Sequence, residues 1–398
     1  MKYLKILFVT FLSLTFINVK ALELDINSKN AILYNLDSNE ILYEKESEEK
    51  VQIASLTKIM TALVSLENIE DLDKQVILKN EDLKGLAEEN LVTAGFTIGE
   101  VLTYRDLLYG LLLPSGADAA KALARNIAGT DEEFINLMNK KAKELKLDNT
   151  NFSNVIGLDD ENNYSTAKDL LTIFKKALEN EDFKKIITTN QYTTSDGKLT
   201  LKSTIQTNAK KYNISVPYIL GGKTGTTNGA GLCLATIAKE NDVNYMLVTT
   251  GALYDKVRPH HIDDAKTIYD YFIQNYSNQK IVDKEISFKT LKTKYAKEDN
   301  VKLYPEKDII KYIPNDYDKN DIKYEYNGIN EITPSTKGKL GTLKIYYKDE
   351  LLDTQKIYLN EKINFSIQKF IKINIIPISL TITILLSIII ILKRKRAH

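Results

Sequence analysis

Residues Ile373–Leu392 form a run of 20 without a charge, and Lys393-Arg394-Lys395-Arg396 follow at once. An apolar run of that length crosses a bilayer as one helix, and basic residues stay on its cytoplasmic side. Pro377 falls in its first turns, where a membrane helix tolerates a kink. At the other end Lys2 and Lys5 precede the uncharged stretch Ile6–Ile17, and Val19-Lys20-Ala21 places a cleavage site after Ala21. The expected layout is a signal peptide over 1–21, a transmembrane helix over 373–392 and a cytoplasmic basic tail over 393–398. Residues 22–372 then lie outside the cell, on a single-pass protein of the cell membrane.

That layout changes the charge arithmetic. With the leader and tail set aside, 47 basic residues face 53 acidic ones, a net charge of −6. A mildly acidic body has no electrostatic reason to bind nucleic acid. The hydrophobic share of 43% excludes disorder as the main state. Cys233 is the single cysteine, so no disulfide forms within the chain.

Ala31–Asn35 and Glu40–Glu44 read as strands around the turn Asp37-Ser38-Asn39. Ser55–Leu66 carries apolar residues at 56, 59, 60, 63 and 66, one face of a helix. Tyr104–Leu113 is a second apolar helix, stopped by Pro114-Ser115-Gly116. Thr130 with Glu133 predicts a capped helix running to about Leu145. Gly231–Lys239 and Val243–Thr250 read as strands, and Ile262–Tyr276 as a final helix. After Ser277 the chain turns rich in Lys, Tyr, Ile and Thr. This predicts a first domain over 22–277, a small all-β domain over 278–360 and a linker over 361–372.

Ser55-Leu56-Thr57-Lys58 places a serine and a lysine one helical turn apart. The same S-x-x-K spacing occurs at Ser47, Ser165, Ser195, Ser277 and Ser366, so spacing alone selects nothing. Ser165, for one, reads as the N-cap of the helix that follows it. Ser55 differs because it opens an apolar helix. A serine hydroxyl needs a base before it attacks, and a neutral Lys58 amine would serve. The helix N-terminus also offers the Ser55 N–H to a developing oxyanion. A lysine becomes neutral when burial or a second cation lowers its pKa. Lys223-Thr224-Gly225, which occurs once, would supply that cation, and the glycines around it let a substrate approach the strand.

The order S-x-x-K, a serine loop and then K-T-G resembles the penicillin-recognising serine enzymes. More narrowly, the chain resembles the low-molecular-mass penicillin-binding proteins, the serine D-alanyl-D-alanine carboxypeptidases. The resemblance rests on Ile53–Ala62, Leu107–Ala120, Asn149–Phe152, Tyr164–Asp169 and Gly222–Cys233 and covers about 25–277. It implies an α/β (α+β) serine β-lactamase/transpeptidase-like domain with an antiparallel sheet and a helical subdomain. The small all-β domain and a C-terminal transmembrane helix also suit that family. It implies that Ser55 is the nucleophile, Lys58 the base and Ser115 a proton relay. Lys223 and Thr224, with Arg258, would bind a terminal carboxylate. The oxyanion would lie between the N–H groups of Ser55 and Thr226, the residue after Gly225. The implied substrate is the peptidoglycan stem pentapeptide, the implied covalent inhibitors are β-lactams, and no cofactor is expected.

The middle motif departs from the family's Ser-x-Asn, because Ala117 follows Ser115-Gly116. Alanine offers no amide to Lys58 or to the substrate, which predicts a slower or differently selective enzyme. A non-catalytic wall-binding protein and a D,D-endopeptidase or transpeptidase are the rival readings. His260 and His261 are adjacent and lack metal-ligand spacing, so no metal site is expected. Cys233 reads as a core residue, and Asp159-Asp160-Glu161 as a solvated loop that is still to be weighed as a deacylating carboxylate.

Overall fold

The computed structural model describes residues 22–396. The leader expected over 1–21 lies outside the described residues, as do residues 397–398 of the tail. Chain contacts divide it into two units that meet between Phe272 and Ile273.

The first unit is built on one antiparallel sheet. Its strands are β1 (Asn30–Asn35), β2 (Glu40–Lys45), β3 (Ile219–Thr227), β4 (Gly231–Glu240) and β5 (Val243–Ala252), in the order β2-β1-β5-β4-β3. The β1–β2 hairpin turns where Asp37-Ser38-Asn39 is expected to turn it, with Asn39 at φ 59°. β1 then pairs with β5, Leu33 opposite Leu247, so a segment from the start of the chain lies beside one more than 200 residues later. β3, which carries Lys223-Thr224-Gly225, is left at the sheet edge, paired only with β4. An added Cβ on Gly221 would stand 2.1 Å from the Ile187 carbonyl oxygen. The glycine therefore lets this strand pack directly on backbone.

The longer helices that begin in this unit, of nine residues or more, are α1 (Thr57–Asn68), α2 (Tyr104–Leu112), α3 (Ala117–Ala128), α4 (Asp131–Glu144), α5 (Ala167–Ala177) and α6 (His260–Asn275). α1 is the central one, with every residue from Thr57 to Leu66 buried. Ile59, Met60 and Leu63 belong to one apolar core with Leu107 and Leu111 of α2, Leu123 of α3, Phe134 of α4 and Phe174 of α5. A helix buried on all sides is a rigid mount for any side chain it carries. Of its buried polar residues, Thr61 donates to the Val155 carbonyl oxygen at 2.8 Å, while the Ser65 hydroxyl has no hydrogen-bond partner among the described residues. Thr130 caps α4 as expected, accepting from the Glu133 N–H. At α5 the cap is Thr166, not Ser165: Ser165 is the last residue of a short strand and the Thr166 hydroxyl accepts from the Asp169 N–H. The cap belongs to whichever hydroxyl sits at the non-helical residue before the first turn, here one place later than expected.

The second unit is all-β up to a terminal helix. Its strands are β6 (Tyr276–Val282), β7 (Lys289–Thr293), β8 (Asn300–Leu303), β9 (Ile309–Pro314), β10 (Ile322–Gly328), β11 (Glu331–Ile332), β12 (Lys339–Tyr347) and β13 (Glu350–Tyr358). They form three small sheets, β6-β9, β8-β7-β11 and β10-β12-β13, around a core of Val282, Leu291, Ile332, Leu343 and Ile345. The hairpin β12–β13 turns at Lys348, which takes φ 53°.

α7 (Ile367–Arg396) starts on this unit, where Lys369 pairs with Asp299 and Phe370 packs on Tyr295. The span expected over 373–392 as one helix with a tolerated kink at Pro377 is not a single helix. The helix bends by 59° between Ile367–Ile375 and Pro377–Lys393. Pro377 lacks the N–H that would continue the ladder, and its ring crowds the carbonyl four residues back. Among the described residues no single helix is long and apolar enough to cross a membrane, while the two limbs of α7 together pass that test by length and composition.

Candidate active site

Ser55 sits in a one-turn 3-10 helix, Ala54–Leu56, and α1 begins two residues later at Thr57. The expected α-helix start at Ser55 is thus a tighter turn, but Lys58 still stands one turn on. As an early residue of a short helix, Ser55 has an N–H without an intrahelical acceptor. Ala54 holds φ 46°, a left-handed conformation that costs a non-glycine residue roughly 1–3 kcal/mol. Two close approaches hold this turn. A Cβ on Gly157 would fall 1.9 Å from the Ala54 carbonyl oxygen, and one on Gly225 would fall 3.0 Å from the Ser55 nitrogen.

Lys58 Nζ lies 2.8 Å from Ser55 Oγ and donates to the Ile156 carbonyl oxygen at 2.7 Å. Burial pushes this ammonium down to about 7, and the Asp118 carboxylate acts in the opposite direction. Half of the amine is then neutral near pH 7, ready to accept the Ser55 proton. The Ile156 carbonyl is aimed by Asn154, whose Oδ1 accepts from the N–H groups of Ile156, Gly157 and Leu158. Neither residue is a candidate on sequence grounds. The only signal is the Asn154-x-x-Gly157 loop, a pattern that turns a backbone by side-chain acceptance and a left-handed glycine, here at φ 88°.

Lys223 on β3 is fully buried and donates to Ser115 Oγ at 2.8 Å and to the Thr224 carbonyl oxygen at 2.6 Å. Its ammonium is held well below the usual lysine range by burial and then by the Lys58 charge. The Lys58 charge thus weighs on Lys223, whereas Lys58 itself is lowered by burial and not by the Lys223 cation expected to do so. Ser115 takes φ 73°, a second left-handed non-glycine residue. The Thr224 hydroxyl shares a 2.7 Å hydrogen bond with Thr204, and Thr226 is exposed at the end of β3. Arg258 stands apart from these bonds, exposed and ion-paired with Asp263.

Ala117 is buried at the first turn of α3. Asp118 does not turn toward Ser115 in place of the missing amide. Its carboxylate accepts from the N–H groups of Ala94, Gly95, Phe96 and Ala119. Asp159 accepts from the Gly229 N–H at 2.8 Å and so holds the β3–β4 turn. Cys233 is buried, and burial pushes its thiol up to about 12.

The other S-x-x-K serines are engaged in structure. Ser47 donates to Glu44, Ser195 to Asp106 and Ser277 to Asn315. Ser165 bonds Thr150, and Ser366 accepts from the Lys369 N–H in the first turn of α7. Among the described residues no group of three His, Cys, Asp or Glu side chains could hold a metal ion.

A family model described as D-alanyl-D-alanine carboxypeptidase matches residues 17–254. The chain belongs to the D-alanyl-D-alanine carboxypeptidase family. D-alanyl-D-alanine carboxypeptidase DacF of Bacillus subtilis is 33% identical over 345 residues, covering 85% of this chain and 86% of that one. The crystal structure of a Streptomyces DD-transpeptidase is similar at 31% identity and a TM-score of 0.56, over 62% of this chain and 97% of that one. Penicillin binding protein 5 of Haemophilus influenzae shares the fold over 86% of this chain and 99% of its own, with a TM-score of 0.61 at 22% identity. A carboxypeptidase of this family is a serine peptidase, and the chain is a hydrolase of that kind.

Proposed function

We propose that Ser55 carries the acyl-enzyme of a D,D-carboxypeptidase that removes the terminal D-alanine from peptidoglycan stem pentapeptides. The observation that carries this reading is Lys58, 2.8 Å from Ser55 Oγ and pushed by burial to about 7. Neutral Lys58 takes the Ser55 proton as Oγ attacks the penultimate D-alanine carbonyl. The N–H groups of Ser55 and Thr226 face the oxyanion that forms. Ser115, bonded to Lys223, takes that proton from Lys58 as it passes its own to the leaving D-alanine amine, which returns Lys58 to the neutral form for the attack by water. The terminal carboxylate binds Lys223 and Thr224 where β3 packs on the Ser55 turn through Gly225. Its charge favours protonated Lys223 and thereby neutral Lys58. Arg258 joins the carboxylate only by exchanging Asp263 for it. Water then attacks the ester and frees Ser55. A β-lactam follows the first half of this course and stays on Ser55.

Ala117 favours a slow version of this enzyme, because Asp118 is committed to the 94–96 loop and no amide faces Lys58 from this segment. We place the two units outside the cell, held by α7. The apolar side chains from Ile378 to Leu392 are exposed along it and basic residues follow, which supports a lipid-embedded, single-pass anchor preceded by a cleaved leader. The test is labelling of the full chain in detergent by a fluorescent penicillin, followed by release of D-alanine from a pentapeptide. Labelling abolished by Ser55→Ala, with D-alanine released by the parent, is the expected result. Labelling that survives Ser55→Ala would sink the assignment.

A further inference from the structure

A groove of about 940 Å³ lies in the second unit between two edge strands, β8 and β13. One wall presents Asn300, Lys302 and Tyr304, the other Lys356, Tyr358 and Asn360. Along each wall these residues alternate with inward-facing ones such as Val301, Leu303 and Ile357, so they stand roughly 7 Å apart on the outer face. Each wall therefore repeats one set: an amide, an ammonium and a phenol. Tyr304 is 43% and Tyr358 47% exposed. Among the described residues none of the six side chains has a hydrogen-bond or ion-pair partner. Other lysines of this unit do have one: Lys280 has Asp283, Lys307 has Asp353 and Lys369 has Asp299. The walls are tied at one end, where Gln355 of β13 accepts from the Glu306 N–H at 2.6 Å and donates to the Lys307 carbonyl oxygen. The groove is thus preformed rather than collapsed.

We infer that this groove binds a neutral glycan chain. Two partnerless phenol rings give flat apolar faces for the C–H faces of pyranose rings. Amides and ammonium groups beside them match ring hydroxyls and acetamido oxygens. The glutamates Glu285, Glu306 and Glu361 on the rim balance Lys284, Lys302 and Lys356, so an anionic polymer gains nothing. A peptide strand added to either edge would want apolar pockets for alternate side chains, and the outward rows are polar. The choice of an N-acetylhexosamine glycan rests on the cell-wall reading above: the groove would hold the sugar strand whose stem peptides the Ser55 site trims.

The test is co-sedimentation of the full chain, in detergent, with insoluble chitin, a neutral N-acetylhexosamine polymer without peptides, and in parallel with intact peptidoglycan. The expected result is retention that falls at least tenfold in the double variant Tyr304→Ala/Tyr358→Ala and less than threefold in Tyr304→Phe/Tyr358→Phe, with unchanged thermal melting. Penicillin labelling and D-alanine release from a soluble pentapeptide stay at parental levels in both. Retention of the alanine variant at the parental level overturns the proposal. Binding only to peptide-bearing wall also overturns it and makes the groove a peptide reader. Normal labelling without glycan retention overturns the groove alone. Tyrosine-dependent retention without Ser55 labelling supports the groove and sinks the peptidase reading instead.

Discussion

The pH profile of Ser55 acylation tests the site most directly. With an ordinary pKa near 10.5, about 0.03% of the Lys58 amine is neutral at pH 7. Burial brings the pKa to about 7, so half is neutral there, a gain of about 10³ in competent base. The cost is on the order of 5 kcal/mol of lost affinity for the proton. The sign for stability follows from linkage. The unfolded chain keeps the Lys58 proton up to its ordinary pKa and the folded chain releases it near 7. The penalty is therefore fully present below about pH 7, and stability rises with pH between that point and 10.5. The rate constant for labelling by a fluorescent penicillin should climb about tenfold per unit below pH 7 and level off above it. Lys58→Met should lower the rate by ~10²–10⁴ and flatten the profile. A midpoint above pH 9, or a parental profile flat from pH 5 to 9, would refute a neutral Lys58 as the base.

Four further outcomes follow from the same geometry. Ala117→Asn should raise the rate of D-alanine release by ~10–10³, and no gain would show that the missing amide does not limit turnover. Gly157→Ala puts a methyl 1.9 Å from the Ala54 carbonyl oxygen at a left-handed φ, so the Ser55 turn must move and penicillin labelling should be lost; full labelling would contradict the packing described. Asp118→Ala strips four backbone N–H groups of their acceptor and should cost roughly 2–4 kcal/mol in a denaturant melt; in the milder Asp118→Asn the acylation midpoint should fall, because Asp118 is the charge that holds Lys58 up. Arg258→Ala should raise KM for the pentapeptide with kcat nearly unchanged if Arg258 leaves Asp263 for the carboxylate, and should leave both unchanged if it does not.

Local patterns were readable wherever one segment decides its own structure. The β1–β2 turn at Asn39, the Thr130 cap and the apolar stripe of α1 each follow from neighbours in sequence. The sheet order does not, because β3 and β2 occupy opposite edges for reasons of packing that no single strand carries. The limit of local spacing is sharpest in S-x-x-K. Six serines share it, and five are spent on caps, turns and carboxylates such as Asp106. Ser55 is set apart only by what is packed around its lysine, namely the Ile156 carbonyl brought in by Asn154 and Gly157 from about 100 residues away. Pro377 is the converse case. Its ring was visible in the sequence, yet the apolar count over 373–392 reads straight through it, and the bend belongs to the backbone ladder that the count ignores.

The same contrast explains why the departure at Ala117 matters less to the fold than to the chemistry. Asp118 accepts from all three N–H groups of the loop over Ala94–Phe96, and the neighbouring Ala117 fills its buried place without needing a partner. Nothing in folding therefore restores the absent amide. What remains is a buried pair of lysines, Lys58 beside Ser55 and Lys223 beside Ser115, each held down by burial, with the Lys58 charge holding Lys223 down further. A site with two cations and the single buried carboxylate of Asp118 prefers to lose one proton when empty and to regain it, on Lys223, when an anion enters. Substrate charge and base strength are then one coupled device. An uncharged substrate amide at the C-terminus should bind without setting Lys58 free, and its acylation should fall further than its binding does.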